Sequence, residues 1–474
     1  MKPHRPISKA LARHRLSDSR MAPAALALTR VLGGLYMRFG LRIKGVEFRH
    51  PERLVEAWRD HLEGRARIIL AFRHPYGDEP QLLSHAFTSL LPRLARSMGR
   101  PLPGPTRPRF VHGYEVPLWS GALVRWILPR TGAVPVYHVK FDKPSVQRIR
   151  AILRNGPYPL ALAPEGQVSY RAEALPRIER GALRLGFWCA EELRAEGREE
   201  RVLVLPISVY YDFDEGGIGA LEKLVARLES DLSLPEEPSA RAASARGLGR
   251  AERKAALLSR LEAIDGALIR AAEGYYGIRA PSGAASRDGR LDALLETALE
   301  RAEATFGLRP EGDRIARVYR IRQEGWNRIY PESGIARKST LARLLADRRA
   351  GEAWYVMRHM EFVDLCHYLD SGYPRGGGDG ELSFGRLVET AYNAVDVASR
   401  LTGGDLSDRP SVLDRRAVLA VSPPLDLTER FAEYSGDKRR AMDRAFSDLE
   451  SSYTDSIKER IDERRDREKT RGGR

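Results

Sequence analysis

The sequence predicts an α/β protein: a mainly parallel sheet with flanking helices, carrying a large all-α insertion. Three observations lead there. Short continuous apolar runs alternate with helical stretches between residues 65 and 215, as buried parallel strands and their crossover helices do. After Asp212 the sequence to about 280 is rich in Ala, Arg, Leu and Glu at helical periods, and further helical stretches follow to about 410. Strand-like sequence then returns once, at Ala417–Leu427, which makes the helical block an insertion.

Residues 1–20 are basic and polar. Met21–Leu41 carries apolar residues at helical spacing, interrupted by Arg30 and Arg38 and weakened by Gly33 and Gly34. Two readings stay open for it: an interfacial helix on a lipid surface, or a helix packed on the core. Arg67–Phe72, with I-I-L-A-F at its heart, is the first strand. Arg109–Val111, Ala133–Val139, Tyr158–Ala163 and Val202–Tyr211 are the others, and Arg180–Ala195 is an amphipathic helix between the last two. Pro117–Pro129 is a short apolar helix with Trp119 and Trp126.

Beyond Asp212 the sequence breaks at Ala280–Ser286 and Gly372–Gly380, and Leu291–Phe306, Asp313–Ile321, Ser339–His367 and Leu382–Arg400 read as helices. The prolines in A-V-L-A-V-S-P-P-L-D-L suit a strand at the sheet's edge. Leu427–Ile461 is a last helix before a charged tail. The expected organisation is an N-terminal basic region (1–45), the α/β domain (46–215), the helical insertion (216–410), a returning edge strand (411–428) and a C-terminal helix and tail (429–474).

The net charge is +15, and residues 1–50 hold eleven Lys or Arg against two acids. Such a surface suits anionic headgroups or nucleic acid. No helix-turn-helix, zinc or basic-aromatic strand motif supports the second, so no nucleic-acid partner is expected. No apolar run approaches the ~18–20 residues of a membrane span, and no signal peptide is read. Two cysteines make no disulfide framework, which points to a cytosolic setting.

The chemistry concentrates in two stretches, F-R-H-P-Y-G-D-E-P (Phe72–Pro80) and A-L-A-P-E-G-Q-V-S (Ala161–Ser169). Each follows an apolar run, so each falls at the C-terminal rim of a parallel sheet, where α/β proteins place ligands. His74 has Asp78 and Glu79 four and five positions behind it, within reach of one ring nitrogen. A carboxylate there fixes the tautomer and stabilises the imidazolium that a general base forms. The plain alternative is a capping histidine with the acids at a helix N-terminus. A metal site from His74, Asp78, His85 and His112 is a minor reading, and Ser169 and Cys189 are nucleophiles only on paper.

The two stretches, taken with G-A-V-P-V-Y-H (Gly132–His138) and V-L-P-I (Val204–Ile207), resemble in order the four blocks of the glycerolipid acyltransferase family: N-H-x4-D, G-x-I-F-I-x-R, F-P-E-G-T-R-S and V-x-P-[VI]. The resemblance covers roughly residues 65–210. It implies an acyltransferase-like fold and an O-acyltransferase of the lysophosphatidate or glycerol-phosphate kind, moving a fatty acyl group from acyl-CoA or acyl carrier protein to the hydroxyl of a glycerolipid or lysophospholipid. The thioester is a co-substrate, and no cofactor or metal is implied. His74 is then the base, with Asp78 or Glu79 as its partner. Backbone N–H groups of the His74 loop or the strand ends are the expected oxyanion donors. Arg73, Gly132, His138, Pro164, Glu165, Gly166, Gln167, Ser169 and Arg171 fall on the substrate side. The family's phosphate-associated arginines are replaced by His138 and Val168, leaving Lys140, Lys143 or Arg171 as substitutes. Expected partners are the thioester donor, the lipid acceptor and an anionic membrane surface, with the protein peripheral on the cytoplasmic face of the inner membrane. The rival is a non-catalytic lipid- or acyl-carrier-binding protein on the same fold.

Overall fold

The structure, a computed structural model, describes residues 7–11, 19–114, 116–136, 143–234, 249–278, 286–331, 339–369, 372–376, 382–404 and 409–472. The chain divides into two compact units, Ser17–Phe213 with Asp414–Arg474, and Met1–Leu16 with Asp214–Leu413. The stretch expected as an insertion, 216–410, falls within the second of these units, which also takes in Met1–Leu16. The N-terminal region divides, with residues up to 16 counted with the helical unit and the rest with the sheet.

In the α/β unit the elements run α1 (Pro23–Leu35), β1 (Ile43–Arg49), α2 (Pro51–Leu62), β2 (Ala66–Phe72), α3 (Glu79–His85), β3 (Arg109–Gly113), β4 (Val134–Val136), α4 (Lys143–Asn155), β5 (Leu160–Leu162), α5 (Gly181–Ala195), β6 (Arg201–Phe213), β7 (Arg415–Val421), β8 (Leu425–Asp426) and α6 (Lys438–Gly472). Short helical turns lie between some of them. The strand order is β1-β7-β6-β2-β5-β3-β4, with β8 also on β6. Every pairing is parallel except those of β7 and β8 with β6.

Two elements depart from expectation. The returning strand is not an edge: β7 lies between β1 and β6, and its residues Ala417–Val421 are all buried. The prolines do not disturb it because Pro423 and Pro424 fall after it, in the turn to β8. The edge on that side is β1, whose mixed sequence I-K-G-V-E-F-R carries no apolar run. Expected strands Arg109–Val111, Ala133–Val139 and Tyr158–Ala163 correspond to β3, β4 and β5, with Tyr137–Val139 outside the described residues.

The core forms because β2 and β6 are apolar on both faces. Ile69, Ala71, Val202 and Val204 pack with Ile149 and Leu153 of α4, Leu183 and Phe187 of α5, and Leu449 and Tyr453 of α6. The Tyr453 hydroxyl donates to the carbonyl of Ala71 at 2.9 Å. On the other side α2 lies against β2 and β7, and its buried Trp58 meets Phe87 at 5.3 Å between ring centroids. At about 25 cal/mol per Å2 of apolar surface, this two-sided burial is the main force holding the sheet.

The helical unit contains Ile218–Asp231, Arg250–Tyr276, Arg287–Phe306, Arg314–Ile329, Thr340–Cys366 and Phe384–Leu401. Ser286, Asp313 and Ser383 cap three of these by accepting from backbone N–H groups. Leucines at helical spacing such as Leu257, Leu261, Leu268, Leu295 and Leu299 are buried. Of the unit's aromatic residues, Trp354 is buried and Tyr355 exposed, while the rings of Trp326 and Tyr330 lie 5.9 Å apart.

Candidate active site

The apolar strand β2 fixes where the site lies. Its register with β6 runs to Phe72 opposite Ile207, and the next N–H, of Arg73, donates to the Ile207 carbonyl. The chain then turns through His74-Pro75-Tyr76-Gly77 into α3. Gly77 has φ +93°, a backbone state that side-chain-bearing residues avoid. The turn is tight enough to bring Glu79 back onto His74.

That contact answers which acid serves the imidazole. His74 Nδ1 lies 2.6 Å from Glu79 Oε2. Glu79 also accepts from the N–H of Tyr76 at 3.0 Å and the N–H of Gly77 at 2.9 Å, and shares the single proton of the Tyr211 hydroxyl, at 2.9 Å, with Asp78. With these donors converging, the carboxylate is ionised and His74 carries its neutral-form proton on Nδ1, which leaves Nε2 as the reactive nitrogen. The His74 side chain is 18% exposed and that of Glu79 is sealed.

Asp78, the other candidate, does not hold the ring. It accepts from the Tyr211 hydroxyl at 2.7 Å and pairs with the Arg415 guanidinium. Arg415 in turn lies over the rings of Tyr211 and Tyr76, at 4.2 and 5.0 Å from their centroids. Tyr211 and Arg415 were invisible as site residues in the sequence, being far from His74 in the chain and in no block. The pattern of β6 identifies a strand, not which tyrosine tips it.

The electrostatics follow from these contacts. Burial lowers the pKa of His74, but the hydrogen bond and charge of Glu79, backed by the charges of Glu165 and Asp78, outweigh it and the net shift is upward. For Glu79, burial works upward, and the His74 and Tyr211 contacts bring the net below the usual carboxylate value. Burial dominates for Asp78 and holds it above its usual value despite Arg415.

The second stretch supports the first from beneath. Glu165 Oε2 accepts the His74 N–H at 2.7 Å, and Oε1 faces Arg73 Nε at 2.7 Å. The Arg73 guanidinium also donates to the carbonyls of Ala172, Arg171 and Ala174 at 3.0, 3.1 and 2.7 Å. The Arg73 and Glu165 side chains are 0% and 1% exposed. Both were placed on the substrate side; in this structure they face each other in the interior and tie the two loops together. Ser169 extends the tie, its N–H donating to the His74 carbonyl at 2.9 Å. Its hydroxyl is aimed at that same carbonyl, at 3.5 Å, and not at the ring.

The remaining candidates scatter. Pro164 is buried, and its carbonyl accepts from Glu179. Gly166, at φ +71°, makes the turn, and Gln167 beside it is half-buried. Arg171 is half-buried in the segment that wraps Arg73. Gly132 stands before β4, three strands from β2, packed on Met21 with its carbonyl accepting from Arg109. His138 and Lys140 lie outside the described residues, and Lys143 starts α4. Burial pushes the Cys189 thiol up to about 12, which removes it as a nucleophile near neutrality. Among the described residues, no group of three or more His, Cys, Asp or Glu side chains is placed to hold a metal ion.

One expectation about this loop fails. The N–H groups of His74, Tyr76 and Gly77 all point to carboxylates, and Pro75 has none. The His74 loop therefore spends its donors on fixing the acids and offers none of these three to an oxyanion.

No protein-family model matches the chain, and no curated protein is significantly similar to it.

Proposed function

We propose that the chain is an O-acyltransferase, moving a fatty acyl group from an acyl-CoA or acyl carrier protein thioester to the hydroxyl of a glycerolipid or lysophospholipid. The observation that carries the reading is the His74–Glu79 pair, an imidazole oriented through Nδ1 by a sealed carboxylate while its edge stays accessible. The order of the four sequence blocks adds the substrate class. In the reaction His74 Nε2 takes the acceptor hydroxyl's proton as the oxygen attacks the thioester carbonyl. The C–S bond then breaks, and the imidazolium returns the proton to the departing thiolate. The test is thiol release from both donors with a panel of lipid acceptors, comparing wild type with His74→Gln. Acceptor-dependent release that vanishes in the variant supports the reading. Lipid binding without turnover favours the non-catalytic lipid- or carrier-binding alternative.

The proton balance predicts the pH dependence. The base form of His74 is required, and its pKa stands above the ordinary histidine value, so kcat/KM should rise with pH along a limb centred above ~6.5. In Glu79→Gln the charge that raises His74 is gone and burial, which lowers it, remains. The limb should then move to lower pH while the plateau falls by roughly tenfold or more. A pH–rate profile with the limb unmoved would remove Glu79 as the partner of the base.

The same reading places the protein on an anionic membrane at the cytoplasmic face. Among the described residues no helix is long and apolar enough to cross a membrane. Yet α1 and the turn after it expose Val31 (73%) and Phe39 (72%) beside Leu28, Leu32 and Leu35. Leu123 (70%) and Trp126, also exposed, lie on the short helix Gly121–Ile127, and the turn after it, Leu128–Arg130, is hydrogen-bonded to the residues just before α1 through Arg20–Pro129 and Ala22–Arg130. Arg30, Arg38, Arg125 and Arg130 are interspersed with them. Apolar side chains among arginines suit the headgroup–acyl boundary of anionic lipid. The surface borders the site, since α1 packs on α3 and the Tyr36 hydroxyl is raised by burial and then by the Asp78 charge. Val31→Glu with Phe39→Glu should weaken partition into phosphatidylglycerol vesicles about tenfold or more. Unchanged co-sedimentation would reject this face.

A further inference from the structure

Two carboxylates adjacent in sequence and close in space create a problem for a general base. Asp78 and Glu79 are both withdrawn from water, with one tyrosine hydroxyl reaching both. Left alone, such a pair shares a proton near neutrality, because two like charges in a low-dielectric site cannot both stay ionised. The shared proton would lie between Asp78 and Glu79 and draw Glu79 away from His74.

We propose that Tyr211 and Arg415 are positioning residues that keep Glu79 for His74, by neutralising Asp78 and bridging it to Glu79. The inference rests on the reading of His74 as a general base and adds how its partner is kept ionised and aimed. Arg415 supplies the positive charge. Its guanidinium pairs with Asp78, donates to the Leu41 carbonyl at 3.3 Å, and is sandwiched near Tyr211 and Tyr76 with its side chain 5% exposed. Tyr211 supplies the bridge, its hydroxyl 2.7 Å from Asp78 and 2.9 Å from Glu79. The site's net charge with neutral His74 is then one negative rather than two.

The charged and titratable groups facing the acid pair come from several elements. His74 and Tyr76 belong to the loop, Tyr211 to β6, Arg415 to β7 and Tyr36 to the turn after α1, with the Glu165 charge behind His74. Arg415 is the cation among them that contacts Asp78. β7 owes its internal position to pairing with both β1 and β6. The antiparallel register sets Phe213 opposite Arg415, so Arg415 arrives at the tip of β6, close to Tyr211. These are also the two strands between which the chain leaves the sheet for the helical unit and returns from it.

The experiment is a charge-compensation cycle in the full-length protein: Arg415→Met, Arg415→Lys, Tyr211→Phe and the double variant Asp78→Asn with Arg415→Met. Arg415→Met should lower kcat/KM near neutral pH by roughly 10- to 100-fold and add a second ionisation to the pH–rate profile. Tyr211→Phe should do the same to a smaller degree. Arg415→Lys, which keeps the charge, and the double variant, which removes both charges, should each return to within about threefold of wild type with a single limb. A residue that only supports the fold would move the melt, and be rescued there, without adding an ionisation to the pH–rate profile. The second readout needs no turnover: the far-downfield proton resonance of the His74–Glu79 hydrogen bond should be present in wild type, lost in Arg415→Met and restored in the double variant. An Arg415→Met profile of unchanged shape, or no recovery of either readout in the double variant, overturns the proposal. If the resonance follows this pattern but no acyl donor and acceptor react, the acyl-transfer reading falls and the positioning role stands. Turnover that none of the four variants alters leaves acyl transfer standing and removes the role assigned to Tyr211 and Arg415.

Discussion

His74→Gln should lower kcat/KM for acyl transfer by about 10²–10⁴-fold while leaving the protein folded. The loss is large because the imidazole is the group placed to take the acceptor's proton, and an amide of similar shape cannot. The fold survives because the carboxylate left behind is not orphaned. Glu79 keeps the Tyr76 and Gly77 N–H groups and the Tyr211 hydroxyl. The loop itself is held through the His74 backbone, by Glu165 on its N–H and by Ser169 on its carbonyl. The measurement pairs steady-state thiol release with a thermal melt. Full activity in the variant would remove His74 as the base, whatever substrate is transferred. A lost reaction with intact lipid or acyl-carrier binding would separate catalysis from recognition.

The sheet was legible where burial acts on both faces, because β2 and β6 need unbroken apolar runs to be covered on each side. It was illegible at β1, an edge strand of mostly half-buried residues that mixes Lys44, Glu47 and Arg49 with Val46 and Phe48. The place of β7 is obscured in the sequence because Pro423 and Pro424 follow its apolar run so closely, although the strand ends at Val421. At the site, the sequence placed His74 and both acids together but left open which acid held the ring. In a turn leading into a helix, neighbouring side chains diverge, so Asp78 faces Arg415 while Glu79 faces His74. Tyr211 and Arg415 are brought by sheet register, which no local motif records. Arg73 and Glu165 were visible as charged residues beside motifs, and charge beside a motif reads as substrate contact. Only their mutual burial distinguishes a tie inside the protein from a surface for ligands.

That distinction carries the largest expected effect on stability. Glu165→Ala leaves a guanidinium with no solvent exposure and no counter-charge, satisfied only by three carbonyls, and removes the acceptor from the His74 N–H. Breaking one side of a buried ion pair costs about 3–5 kcal/mol, because the remaining charge cannot reach water. The α/β unit should therefore lose on the order of 10 °C in Tm. Glu165→Gln keeps a carbonyl oxygen for one of the two donors and should lose less. Pairing Glu165→Ala with Arg73→Met removes both charges, and this double variant should be more stable than Glu165→Ala alone. A residue that binds substrate behaves otherwise: its loss raises KM and leaves the melt in place. If Glu165→Ala melts like wild type and only KM rises, Glu165 belongs to the substrate after all. If the melt collapses and is recovered by the second substitution, the Pro-Glu-Gly turn works by holding the His74 loop in place, and acceptor recognition has to come from other residues around the site.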